Sequence, residues 1–133
     1  MSDTNIPEGL RYTKDHEWAK PAGSEITVGI TAFAVEQLGD ITLVNIDVKA
    51  GDQLTAGKAF GTIESVKTLS DLFSPINGKV VKVNADLESK PELVNEDCYG
   101  KAWMIVIAAS DGKEISALME AKAYADHCTA SAH

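Results

Sequence analysis

Apolar and polar residues alternate with a period of two along most of this chain, in short runs. Ile26, Val28 and Ile30 share one face of a run over 25–30. Phe60, Thr62 and Glu64 alternate with Ala59, Gly61 and Ile63, and Leu69 and Asp71 alternate with Ser70 and Leu72. Runs of this kind, bounded by Gly, Pro, Asn and Ser, predict strands. The same reading gives a first strand over 10–19, carrying Tyr12 and Trp18, and a turn cluster over 20–24. It also gives a strand over 79–83 with Val81 and Val83 on one face, and a dense apolar strand over 103–108. In 40–48, Ile41, Leu43, Val44 and Ile46 put apolar residues on both faces, which predicts a strand buried between two layers.

The period changes near the start and at the end. Thr31 is placed to cap a helix of about two turns, with Ala34 and Leu38 four apart and Gly39 to stop it. Ser89 can cap a helical turn opened by Lys90 and Pro91, with Leu93 and Val94 turned inward. Asp111 and Glu114 have capping-box spacing, and Ile115, Leu118 and Met119 follow at helical intervals. Lys122 then falls near the helix's negative end. Residues 1–9 read as a flexible N-terminus, 10–125 as one domain and 126–133 as a tail. A weak echo between 40–64 and 77–106 suits two similar β layers joined by the segment between them. The pattern alone predicts a mainly β sandwich or barrel with short helices and a C-terminal helix.

Composition narrows the class. At 133 residues the chain can bury a real core in one domain. A formal net charge of −8 argues against nucleic acid and anionic membranes and favours partners with basic faces. No apolar run is long enough for a transmembrane helix. The first five residues resemble neither a signal nor a transit peptide, which suggests a cytoplasmic protein or a processed mature one, such as a mitochondrial form. Cys98 and Cys128 stand 30 positions apart without a CxxC neighbour, which fits free thiols.

The candidate chemistry lies at the tip of the 59–73 hairpin. Ser65, Val66 and Lys67 lack the Gly, Asn or Pro that usually make such turns, so something besides turn stability selects them. A lysine on a hairpin tip is ordinarily just solvated. Here Glu64-Ser65-Val66-Lys67, followed by Ser70-Asp71-Leu72 and Ser74-Pro75-Ile76-Asn77-Gly78, resembles the lipoyl-attachment hairpin of the glycine cleavage system H proteins. Further segments resemble that family in its order: 12–18, 28–31, 36–40, 91–97, and Tyr99-Gly100 with Trp103-Met104. Together they cover roughly residues 8 to 125.

The resemblance implies a barrel-sandwich hybrid of the lipoyl/biotinyl-carrier kind. It implies lipoic acid in amide linkage on Lys67, with Glu64, Ser65 and Val66 recognised by a lipoate- or octanoyl-transferring enzyme. The chain would then be a non-catalytic monomeric carrier. It would take an aminomethyl group from a glycine decarboxylase (P protein) to an aminomethyltransferase (T protein) and present its dithiol to dihydrolipoamide dehydrogenase (L protein). Glu17 and Asp71 would supply carboxylates to the cleft that shelters the loaded arm. The family usually has proline where Cys98 stands, and many relatives are polar where this chain has Ala32 and Phe33. The alternative within the same class is an H-like lipoyl relay that donates lipoate to other lipoyl domains. Biotin hairpins usually flank the lysine with Met, where this chain has Val66 and Thr68. From a different class, a thiol enzyme would use Cys98 with His16 as base. Adjacent strand residues point to opposite faces, so His16 and Glu17 are not expected to act together, and His16 is read as structural. His127, Cys128 and His133 fall in the tail and are not placed.

Overall fold

The computed structural model describes residues 6–111 and 113–131. Among the described residues nine strands form two antiparallel sheets. The larger runs β1 (Arg11–Tyr12), β2 (Glu17–Ala22), β3 (Glu25–Ile30), β9 (Ile105–Ala109), β8 (Gly78–Val83) and β5 (Gln53–Leu54), in that spatial order. The smaller is β4 (Ile41–Ile46), β6 (Ala59–Ser65) and β7 (Leu69–Phe73). The main core lies between them, with Val28, Val44, Phe60, Ile63, Ile76, Val80 and Ile107 fully buried. A smaller cluster gathers Tyr12, Trp18, Phe33, Tyr124 and Cys128. No helix of the described residues is long and apolar enough to cross a membrane.

Two bulges explain where strand periodicity misleads. A register shift between Ile41 and Leu43 changes the phase of β4, so Ile41, Val44 and Ile46 all turn inward while Leu43 is 41% exposed. β4 is therefore an edge strand with one wet face, not a strand buried between layers. A second shift between Val80 and Lys82 turns Val80 into the core and leaves Val81 half-buried. The lysine hairpin is β6–β7 itself, within the smaller sheet, and does not join the two layers.

The expected first strand breaks at 13–16. The Thr13 N–H donates to the Glu17 carbonyl and the His16 N–H to the Thr13 carbonyl, and His16 takes a φ of 72°. β2 then runs on through Pro21, beyond the reach of β1, where a missing N–H costs no ladder bond.

The helices split likewise. α1 (Ala32–Leu38) starts where Thr31 Oγ1 accepts the Ala34 N–H and stops at Gly39, whose φ of 83° suits glycine. α2 (Asp86–Ser89) ends at Ser89, which closes that turn and caps nothing after it. α3 (Leu93–Glu96) buries Val94. α4 (Lys113–Ser116) is a single turn: Asp111 Oδ1 accepts the Lys113 N–H, but Glu114 reaches to the Asn77 N–H and closes no capping box. Met119 breaks away to pair with Tyr12.

Residues 121–131, partly read as a tail, form α5 (Ala121–Ser131), so Lys122 stands at a helix start. Its apolar contribution is sparse, mainly Tyr124 and Cys128, which is why the pattern hid it. Tyr124 stacks on Tyr12 at 4.6 Å and 8° and anchors the helix. His133 lies outside the described residues.

Candidate functional site

The turn between β6 and β7 is built by a serine. The Ser65 N–H donates to the Thr68 carbonyl at 2.8 Å, and Ser65 Oγ accepts the N–H groups of Lys67 and Thr68, both at 3.2 Å. Among the described residues His16 alone, apart from glycines, has a positive φ. The tip therefore needs no glycine or asparagine, because the hydroxyl supplies the turn's acceptor. The Val66 N–H donates to the Asp40 carbonyl at 3.0 Å and ties the tip to the loop after α1. That loop is held in turn by Asn95, whose Oδ1 accepts the Ile41 N–H and whose Nδ2 donates to the Gly39 carbonyl.

Lys67 is exposed on this braced tip, with Val66 67% exposed and Leu69 60% exposed beside it. Its stem rests on bare backbone: a Cβ at residue 39 would lie 3.3 Å from Lys67 Cε. Gly39 thus leaves room for the lysine as well as ending the helix. Glu64 is half-buried in register with Leu43 and Leu69.

One step beyond Gly39, Leu38 forms part of a cleft of about 120 Å³. Its apolar lining comes from Ile30, Ala34, Leu38, Ile63 and Leu72, and Asp15, Glu17 and Asp71 bring carboxyls to it. Asp71 is exposed, in register with Thr62. Glu17 is 2% exposed. Thr13 Oγ1 donates to its Oε1 at 2.7 Å and the Phe73 N–H to its Oε2 at 3.3 Å. Burial outweighs both bonds and pushes the Glu17 carboxyl up to about 8. Such a site fits an apolar arm with a polar head. An apolar chain can lie along the walls, and a cation reaching Glu17 would draw the carboxyl to its charged form.

The shift has a stability consequence. A carboxyl raised from 4.5 to about 8 on folding leaves the folded chain holding the extra proton between those values. Stability is full below about 4.5 and falls as pH rises through 8. Denaturant midpoints measured from pH 5 to 9 should show this decline, and Glu17→Gln should flatten it. An equal slope in the variant would place the titration elsewhere.

His16 and Glu17 both border this cleft, although they were not expected to act together. The left-handed turn at His16 breaks the strand alternation that separated them. Their polar atoms still have different partners. His16 Nδ1 meets Tyr124 Oη at 2.7 Å, and that hydroxyl meets Thr31 Oγ1 at 2.6 Å, so His16 joins α5 to the cap of α1. Burial lowers the His16 pKa. His127 Nε2 lies 3.0 Å from the Lys14 carbonyl, and Cys128 is buried. Ala32 lies outside the cleft lining, its N–H donating to Tyr99 Oη, and Phe33 packs 4.8 Å from the His16 ring.

Burial pushes the Cys98 thiol up to about 11, so it is a thiol and not a thiolate at neutral pH. With His16 committed to Tyr124, the pair makes no thiol-enzyme site. Among the described residues no group of three His, Cys, Asp or Glu could hold a metal.

The model of the family described as Glycine cleavage H-protein matches residues 10–131. The chain is 53% identical over 122 residues to the glycine cleavage system H protein of Bacillus licheniformis, covering 92% of this chain and 95% of that one. It is 51% identical over 120 residues to that of Bacillus subtilis, covering 90% of this chain and 94% of the other. Its fold is similar to the crystal structure of a glycine cleavage system H protein from Mycobacterium marinum, with a TM-score of 0.82, 36% identity, and coverage of 91% and 97% of the two chains.

Proposed function

We propose that this chain, which belongs to the glycine cleavage H-protein family, bears its lipoyl group in amide linkage on Lys67. Membership makes it the lipoyl carrier of the glycine cleavage system, a subunit that shuttles and does not itself catalyse. The observation that carries the assignment to Lys67 is its place: exposed, at a tip tied to its own serine and to the loop after α1. Acylation removes the ammonium charge. When bound, the lipoyl group supplies a disulfide–dithiol couple and a flexible reach.

The chain's own residues supply the rest. The Ser65-based turn fixes the direction in which the arm leaves. Glu64, Ser65 and Val66 form the shape that a lipoate- or octanoyl-transferring enzyme reads. The apolar cleft residues would exclude water from the far end of a bound arm, and Glu17 would hold the ammonium of its cargo, with Asp71 at the exposed side. The carrier serves glycine decarboxylase, the aminomethyltransferase and dihydrolipoamide dehydrogenase in turn, in the cytoplasm.

The test is reconstitution. With those three enzymes, tetrahydrofolate and NAD, glycine-dependent NADH formation should require the lipoylated chain and saturate with it. Lipoylation without any such turnover would sink this reading and favour a lipoyl relay. In the same system Glu17→Gln should let the loaded arm lose its cargo to water faster. An unchanged rate would remove Glu17 from the cleft's role.

A further inference from the structure

We propose a second binding site on this chain, a lysine-lined groove at Trp103 that takes an acidic peptide segment of a partner protein. The groove, of about 410 Å³, is lined by Asn84, Asp86, Lys90, Leu93, Lys101 and Trp103. A third ammonium belongs to it, since Lys82 Nζ stands 5.6 Å from the Trp103 ring centroid. Three lysines thus gather around one lining carboxylate, Asp86, while a second, Asp97, is engaged by the Lys101 backbone N–H at 3.0 Å, in a chain whose net charge is −8. None of the three is in an ion pair with a carboxylate of the described residues. The Trp103 indole N–H likewise has no acceptor among them.

The floor is rigid. Asn84 is 6% exposed, and its Nδ2 donates to the carbonyls of Lys101 and Trp103 at 2.9 and 2.7 Å. Its amide is therefore spent on holding the groove's shape, and what faces outward is a set of donors around a half-buried aromatic and Leu93.

Charge and shape choose the occupant. Nucleic acid needs many neutralised phosphates, and three lysines in one groove supply few. A small phosphate could meet the ammonium groups but would leave the half-buried Trp103 and Leu93 uncovered. An extended peptide with alternating carboxylate and apolar side chains can meet ammonium groups and Trp103 together. The groove also adjoins the carrier tip through one short helix: Leu93 of α3 lines it, while Asn95 of α3 holds the loop on which Lys67 rests. A protein engaged at the tip could reach both. The inference does not depend on what Lys67 carries.

The full chain, isotope-labelled for NMR, would be titrated with an octapeptide of alternating glutamate and leucine, with its glutamine counterpart, and with inorganic phosphate. The glutamate peptide alone should give saturable shifts at the Trp103 indole N–H and the Asn84 and Lys101 amides. The triple variant Lys82→Glu, Lys90→Glu, Lys101→Glu should weaken binding by about tenfold or more. The serine triple serves if the glutamate one fails to fold. Absent shifts, equal shifts from the glutamine peptide or phosphate, or unchanged affinity in the variant would each overturn the site.

Discussion

Replacing Lys67 by arginine is expected to reduce glycine-dependent turnover to the level seen with no carrier, while leaving the fold intact. Arginine keeps the charge and most of the stem, but its guanidinium stays protonated and cannot take an acyl group at neutral pH. The structure gives little reason for the fold to change. The bonds at the tip use the backbone N–H of residue 67 and not its side chain, and the stem only rests on Gly39. An exposed substitution of this kind should shift stability by no more than about 0.5 kcal/mol. A folded variant with no turnover separates attachment from structure. Turnover above the carrier-free level would mean that another lysine bears the arm.

Gly61→Ala should do the reverse and damage the scaffold without touching the lysine. Gly61 sits in β6 between Ile46 of β4 and Leu72 of β7, beside a register shift at Ala59. A Cβ there would run into the Asn45 carbonyl oxygen and lie 3.1 Å from Ile46 Cα. Both obstacles are backbone, so relief requires moving β4 away from β6. The expected cost is about 3 kcal/mol or more, at the upper end of overpacking effects, and a fall in Tm of roughly 10 °C. Thermal unfolding measures it, and hydrogen exchange should show the lost protection concentrated in β4 and β6. A cost under about 1 kcal/mol would mean that the two strands are not packed this closely.

The parts of the fold that were legible are those set by local chemistry. Thr31 and Gly39 announce both ends of α1, and the alternation around Ala59–Ser65 and Leu69–Phe73 announces the hairpin. What was hidden depends on partners distant in sequence. The bulge in β4 shows only once β6 lies beside it, so Leu43 read as buried. The left-handed turn at His16 breaks strand alternation and brings His16 to the same cleft as Glu17. α5 escaped notice because its apolar content is nearly limited to Tyr124 and Cys128, whose cluster partners, such as Tyr12 and Phe33, are distant in sequence.

The site shows the same division. The proposal that Lys67 bears the arm comes from the residues around it in the sequence. The reason for its glycine-free turn, the Ser65 hydroxyl, is local and could have been read from a serine two positions before the tip lysine. Glu17 was legible as a carboxylate but not as a buried one, because Thr13, Phe73 and the cleft walls meet only in the fold. Lys82 and Lys101 stand nineteen positions apart with Lys90 between them, and Trp103 gathers them.

The most direct test of the central claim is the intact mass of the chain after incubation with lipoate, ATP and a lipoate-attaching enzyme, beside Lys67→Arg. One lipoyl amide on the wild-type chain and none on the variant is the predicted result. Equal gain in both, or no gain in the wild type under conditions that load a known carrier, would contradict the assignment of the arm to Lys67.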